Sequence, residues 1–262
     1  MTNDEGSAAS TTRDEPRRGQ AVLRFLRDVA IILVAAIIIS WVIKTFLVRS
    51  FYIPSESMED TLLVNDRIIV NLLEPDFFPI SRGDVVVFRD PGGWLGRPSS
   101  EEPFSASTAV EWVLSLVGLA APDSDEHLIK RVIGLPGDTV TCCDEYGRMS
   151  INGVPIDETA YVVLPGDTER VSSDDFAVTV PEGRLWVMGD NRYRSADSRY
   201  NVDQPGEGFV PMENVVGRAI VITWPVERWG WLDNYPTVFG GVGGVEPEGS
   251  EPVSPATTGT TG

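Results

Sequence analysis

The sequence predicts a mostly β domain carried behind one N-terminal membrane-spanning helix. Three observations predict it. Residues Val29–Ile43 read VAIILVAAIIISWVI, with no charge. Beyond residue 49 the hydrophobic period becomes that of strands. The chain has 262 residues, 42% hydrophobic and 23% charged, which is long and apolar enough to bury one or two cores. A wholly disordered protein is excluded on the same numbers.

Residues 1–28 are polar at their start and rich in arginine, and read as a disordered cytoplasmic tail. A span over 29–48 follows. Its uncharged part rises only about 22 Å as a helix, at ~1.5 Å per residue. Continued to Val48 it reaches about 30 Å, enough for a bilayer core if Lys44 snorkels its amine to the interface. The competing readings are a buried core helix and the apolar region of a cleaved leader. A cleaved leader ends in small residues, whereas this run ends in Phe46, Leu47, Val48 and Arg49. Arg13, Arg17, Arg18, Arg24 and Arg27 precede the span, and only Lys44 and Arg49 lie near its other end. That asymmetry keeps the N-terminus cytoplasmic and puts residues after 49 outside.

The outer part, residues 49–239, holds short β-branched runs between turn residues. They are Asp66–Asn71, Asp84–Arg89, Leu128–Ile133, Phe176–Val180, Leu185–Met188 and Val215–Ile222. Met149–Ile156 contains Asn152-Gly153 between alternating apolar residues, which predicts a hairpin. Residues 91–127 turn rich in Gly, Pro and Ser around one apolar stretch and read as an insertion. That stretch is too short to span a bilayer. It either packs on the domain, rests on the membrane or is a local satellite. Residues 240–262 are Gly, Pro, Ser, Thr and Glu and read as a disordered tail.

The formal net charge is -18, and from Arg49 onward 34 acidic residues face 15 basic ones. Phosphate contact needs clustered Lys and Arg, so a nucleic-acid partner is not expected. Two adjacent cysteines and one histidine are too few for the common zinc sites. No metal or other cofactor is expected. Cys142 and Cys143 are either a vicinal disulfide or two thiols. A Ser-His-Asp triad would have to use His127.

Three segments carry candidate chemistry. Just past the span, Ser55-Glu56-Ser57 sets two hydroxyls around one residue; the bland reading of Ser57 is an N-cap, since Ser57-Met58-Glu59-Asp60 fits a helix start. In Leu128–Ile133, Lys130 and Arg131 point to opposite faces, so whichever face is buried carries a cation. The bland reading is an edge strand whose charge reaches water. A buried Lys loses its proton readily and serves as a base, whereas a buried Arg stays charged. The third segment, Gly189–Arg199, is a polar loop in which Asp197 and Arg199 form a candidate ion pair.

Together these segments resemble the type I signal peptidases, membrane-anchored Ser-Lys proteases. The resemblance lies in Pro54-Ser55-Glu56-Ser57-Met58, Arg82–Phe88, Lys130–Asp138, and Gly189–Arg192 through Ser195–Arg199, in the family's order and behind one span. It covers about residues 30 to 235. Glu56 and Asp60 depart from the family's usual small residue and proline, at the rim of the cleft. The resemblance implies the family's β fold, shared with LexA-like proteins. It implies Ser57 as nucleophile, Lys130 as general base, and the Ser55 hydroxyl with the Ser57 amide as oxyanion donors. It makes Ser195 an orienting partner of the Lys130 amine, and Asp197 and Arg199 structural. Ile53, Met58, Leu62 and Ile129 would line small apolar pockets suited to Ala-x-Ala sequences. The implied substrates are secretory preproteins with signal peptides, met at the outer face of the lipid bilayer. Two other readings stand beside this one. A LexA-like self-cleaving Ser-Lys protein would lack the span, and an inactive membrane-anchored binding module would not need both Ser57 and Lys130.

Overall fold

The structure is a computed structural model and describes residues 16–96, 127–166 and 168–243. Two compact units divide at residue 45. The first contains helix α1, Pro16–Val42. Proline suits the first helical position, because its missing N–H has no intrahelical partner there and its φ is preset. The expected tail over 1–28 is corrected on this point, since helix starts at Pro16; residues 1–15 lie outside the described ones. α1 leads into a π turn, Ile43–Leu47. Val48, expected within the span, instead opens a strand. The uncharged part of α1, Val29–Val42, rises about 21 Å. Among the described residues no helix is long and apolar enough to cross a membrane.

The second unit is β, as expected. Strands β1 (Val48–Tyr52), β2 (Arg67–Asn71), β3 (Val85–Arg89), β4 (His127–Gly134), β9 (Arg184–Met188), β10 (Val210–Pro211), β11 (Val215–Trp224) and β12 (Gly230–Trp231) form one sheet. Its order is β1-β2-β11-β3-β4-β9-β10, with β12 on β11, and all pairs are antiparallel. β5 (Thr139–Cys142), β6 (Met149–Ile151), β7 (Val154–Pro155) and β8 (Phe176–Thr179) form a smaller sheet, ordered β7-β6-β5-β8. The seven expected strand segments all appear. Asn152 and Gly153, both at positive φ, make the β6–β7 turn. β1, β5, β10 and β12 are strands that the sequence does not lead one to expect. Cys142 and Cys143, at the end of β5, are bonded to each other.

β4 is central, paired with β3 on one side and β9 on the other. Apolar clusters pack on both of its faces, one including Phe51, Ile53, Met58, Leu62 and Ile129, another including Val86, Phe88, Val132 and Val187. This position, rather than an edge, takes Lys130 and Arg131 out of water together. The expectation of one buried cation is therefore corrected to two. β4 passes into the second sheet through a turn at Gly137, where Asp138 accepts from the Leu135 amide and pairs with Arg82. A short helix α2 (Pro236–Phe239) follows the last strand. The tail expected from residue 240 is corrected over 240–243, because Val242 is buried and its carbonyl accepts from Arg82; residues 244–262 lie outside the described ones. The expected insertion is described only at its ends. Asp90 accepts from the amides of Gly92, Trp94 and Leu95, and His127 begins β4.

Candidate active site

Ser57 sits in a single 3-10 turn, Glu56–Met58, that leaves β1. Ile53 holds the start of this segment through bonds with Asp66 and Asn65, and Met58 and Leu62 hold its end by complete burial. The turn is thus pinned from both sides, and Ser57 is 6% exposed. Ser57 is not an N-cap. That position belongs to Ser55, which makes no side-chain capping bond.

Lys130 reaches the same point from β4, 73 residues away in sequence. Its Nζ lies 2.7 Å from Ser57 Oγ and donates to the Ile129 carbonyl at 2.9 Å. Ser55 Oγ is 3.3 Å from Ser57 Oγ. Lys130 is only 3% exposed. Burial lowers its pKa from 10.5 to about 8, against the opposing pull of Asp197 and Asp190. A neutral amine beside a hydroxyl is a general base in reach of its proton.

The loop after β9 frames this pair. Asp197 accepts from the Gly189 amide at 3.0 Å and from Arg199 Nε and Nη2 at 2.9 and 2.8 Å. Arg199 also donates to the Arg192 carbonyl at 2.7 Å. This ion pair fixes the loop, in keeping with its sequence. Ser195 is buried, but its Oγ has no hydrogen-bond partner among the described residues. The expected bond to the Lys130 amine is therefore corrected. Ser195 sits instead beside Gly189, where a Cβ would fall 2.3 Å from both Ser195 Oγ and the Ser57 carbonyl. Any side chain at Gly189 would push the nucleophile turn and the Ser195 loop apart.

Several site residues are not singled out by the sequence. Asp190 accepts from Arg131 Nε and Nη2 at 2.9 and 2.7 Å and from Thr61 Oγ1 at 2.6 Å. Asn191 donates its amide to the Ser57 carbonyl and its side chain to Glu59. Arg192 forms a fully buried fork on Glu158 at 2.8 and 2.6 Å. Asp190, Asn191 and Arg192 stand in one of the segments that carry the family resemblance, and that is the signal that could have found them; their partners Glu59, Thr61 and Glu158 lie outside those segments. Glu56 pairs across the rim with Arg194 at 2.6 Å.

Of the four expected pocket residues, Ile53 and Ile129 line a small open pocket together with Phe51, Ile68, Val87 and His127. Met58 and Leu62 are packed in the core beneath the nucleophile turn and do not line that pocket.

The family model described as signal peptidase, peptidase S26, matches residues 26–224. Signal peptidase I of Mycobacterium tuberculosis is 41% identical over 247 residues, taking in 87% of this chain and 82% of that protein. The probable signal peptidase I of Mycobacterium leprae is 38% identical over 251 residues, with 87% and 85% covered. Signal peptidase I of Leptolyngbya laminosa is 35% identical over 233 residues, with 87% and 93% covered. The family match runs through every segment that builds the site, and the chain belongs to the S26 family as a bacterial type I signal peptidase, a serine endopeptidase.

Proposed function

We propose that this enzyme is anchored in the membrane by its N-terminal helix and removes signal peptides from secreted preproteins with Ser57 as nucleophile and Lys130 as base, cutting after small residues in Ala-x-Ala-like sequences. The observation that carries the reading is the 2.7 Å approach of Lys130 Nζ to Ser57 Oγ, both residues being almost closed to water. A serine hydroxyl is a poor nucleophile until a base takes its proton. Neutral Lys130 accepts that proton as Ser57 Oγ attacks the scissile carbonyl. The protonated amine then returns it to the leaving amine, and the acyl-enzyme remains. Water, activated by the same amine, releases the signal peptide and restores Ser57. The developing oxyanion would lie between the Ser57 amide and the Ser55 hydroxyl, each donor of this type being worth roughly 2.7–4 kcal/mol.

Small apolar side chains suit the pocket beside Ile53 and Ile129. Anchoring is supported by the apolar surface of α1, where Ile32, Ile37 and Ile39 are among many exposed apolar side chains. With the π turn, Val29–Leu47 rises about 28 Å, taking ~1.5 Å per residue as in an α-helix, close to a bilayer core. The arginine excess before it supports a cytoplasmic N-terminus and an extracytoplasmic catalytic domain.

A cleavage assay on a preprotein in detergent tests the chemistry. The wild-type chain should release the signal peptide and Ser57→Ala should not; turnover by the Ala variant at the wild-type rate would remove Ser57 from the mechanism. On intact protoplasts, added protease should digest the catalytic domain and spare the N-terminal tail. The reverse pattern would refute the orientation.

A further inference from the structure

Glu158 is a buried carboxylate with no part in the chemistry above, and it lies outside the segments that carry the family resemblance. It follows β7, the last strand of the β6–β7 hairpin. Its two oxygens accept from Arg192 Nη1 at 2.8 Å, from Arg192 Nη2 at 2.6 Å and from the Tyr161 hydroxyl at 2.6 Å. The Tyr161 and Val162 amides turn back onto the Glu158 carbonyl, and the Val163 amide donates to the Asp190 carbonyl at 3.1 Å. Residues 158–163 are thus strapped to the loop after β9 through a side chain and through the backbone.

That loop bears on the nucleophile. Arg192 Nε donates to the Gly189 carbonyl at 3.1 Å, and the Gly189 amide donates to Asp197 at 3.0 Å, so Gly189 is held from both sides. Gly189 is where the loop meets the nucleophile turn, since a Cβ there would lie 2.3 Å from the Ser57 carbonyl. Two residues on, the Asn191 amide donates to the same carbonyl at 3.2 Å. The two supports of Gly189 differ in origin. Asp197 comes from the loop itself, eight residues away. The Arg192 guanidinium is oriented from outside the loop, by Glu158, 34 residues away in sequence. A guanidinium fork on a carboxylate fixes direction as well as distance. Stability alone does not call for such a pair, because apolar residues of like volume serve a core as well or better. What they cannot supply is the bond to the Gly189 carbonyl.

We infer that Glu158 is a positioning residue for the Ser57–Lys130 pair: it fixes Arg192, and Arg192 fixes the Gly189 carbonyl beside which the Ser57 turn is seated. The inference rests on the proposed cleavage by Ser57 and Lys130 and adds to it what holds the nucleophile at its distance from the base. Glu158 touches neither reacting atom and takes no proton.

The test uses the full-length protein in detergent and a peptide with Ala next to the bond and at the third position before it. Glu158→Gln keeps the shape and removes the charge. Its kcat should fall by about 10- to 100-fold at an unchanged KM, since a misplacement of about 1 Å at a reacting group is enough for the larger figure. The unpaired Arg192 should also lower the urea midpoint. Adding Arg192→Met removes the second charge and should bring the midpoint back toward wild type. The Gly189 carbonyl still lacks its donor in this double variant, so kcat should stay low. Recovery of kcat together with the midpoint overturns the inference, because the pair would then serve the fold alone. Unchanged kinetics in Glu158→Gln overturn it too, as does a raised KM at wild-type kcat. Should Glu158→Gln not fold, the double variant carries the question, and a wild-type kcat there overturns the inference. A wild-type chain without Ser57-dependent cleavage of the peptide sinks the proposed function itself, which is a different result from intact cleavage that ignores Glu158.

Discussion

Lys130 and Arg131 are neighbours on β4, and the regions around them handle a buried cation in opposite ways. Arg131 is wholly enclosed and held by a two-pronged carboxylate, Asp190, with the Gly83 and Asp233 carbonyls, the Thr61 hydroxyl and the Tyr161 and Tyr235 rings around it. Lys130 has a hydroxyl and one backbone carbonyl among the described residues. The two carboxylates that pull its pKa upward, Asp190 and Asp197, are both engaged by arginines, Arg131 and Arg199. A charge that must persist is paired; a charge that must come and go is left without a carboxylate contact. Side-chain chemistry agrees, because guanidinium keeps its proton at any working pH and an amine does not.

The largest effect expected from breaking this division is at Lys130 itself. Lys130→Arg makes the two positions alike in kind, and on the proposed mechanism peptide cleavage should disappear, because a guanidinium cannot take the Ser57 proton. Measurable activity would mean that Lys130 acts as a fixed cation.

Next comes the paired region. Asp190→Asn strips the carboxylate from Arg131 and leaves an uncompensated charge inside the domain. Breaking such a pair costs about 3–5 kcal/mol, read as a fall in the urea midpoint. A loss below ~1 kcal/mol would place Arg131 among weakly coupled surface pairs.

The unpaired region should respond with the opposite sign. The lowered pKa means that the folded state penalises protonated Lys130. The cost is fully present below about pH 8 and vanishes above the unfolded value of 10.5. Lys130→Met, similar in shape and apolar, should therefore stabilise the protein by about 3 kcal/mol at pH 7. The gain should fade as the pH rises from about 8 to 10.5. Urea unfolding of both proteins at about pH 7 and about pH 10 measures it, and equal stability at the lower pH would contradict a penalised amine.

The smallest effect sharpens the same point through kinetics. On the proposed mechanism the free enzyme acts with Lys130 neutral, so kcat/KM should climb with pH and level off above about pH 8. Below that point each pH unit should lower it about tenfold. A flat profile between about pH 6 and about pH 9 would be incompatible with Lys130 as the base.

Much of the β framework is legible in the sequence. β-branched runs and the Asn152-Gly153 turn are local signals, and local signals specify strands and hairpins. β5 is hidden because Thr139–Cys142 is short and broken by polar residues, and β10 and β12 are two-residue strands with no period to detect. β1 is hidden because Val48 continues an apolar run that reads as membrane span.

Of the candidate site, the sequence alone pointed to Ser57, Lys130, Asp197 and Arg199, because residue type carries the chemistry and the ordered segments carry the resemblance. Only the tertiary structure decided that both cations of β4 are buried, because burial depends on β3 and β9 lying on either side of them. It alone paired Arg131 with Asp190, 59 residues away, and Arg192 with Glu158, 34 residues away. It left the Ser195 hydroxyl without a hydrogen-bond partner among the described residues and packed Met58 and Leu62 in one core cluster with Ile53 and Ile129. Each is a matter of which distant atoms share a few ångströms of space, and no run of neighbouring residues encodes that by itself.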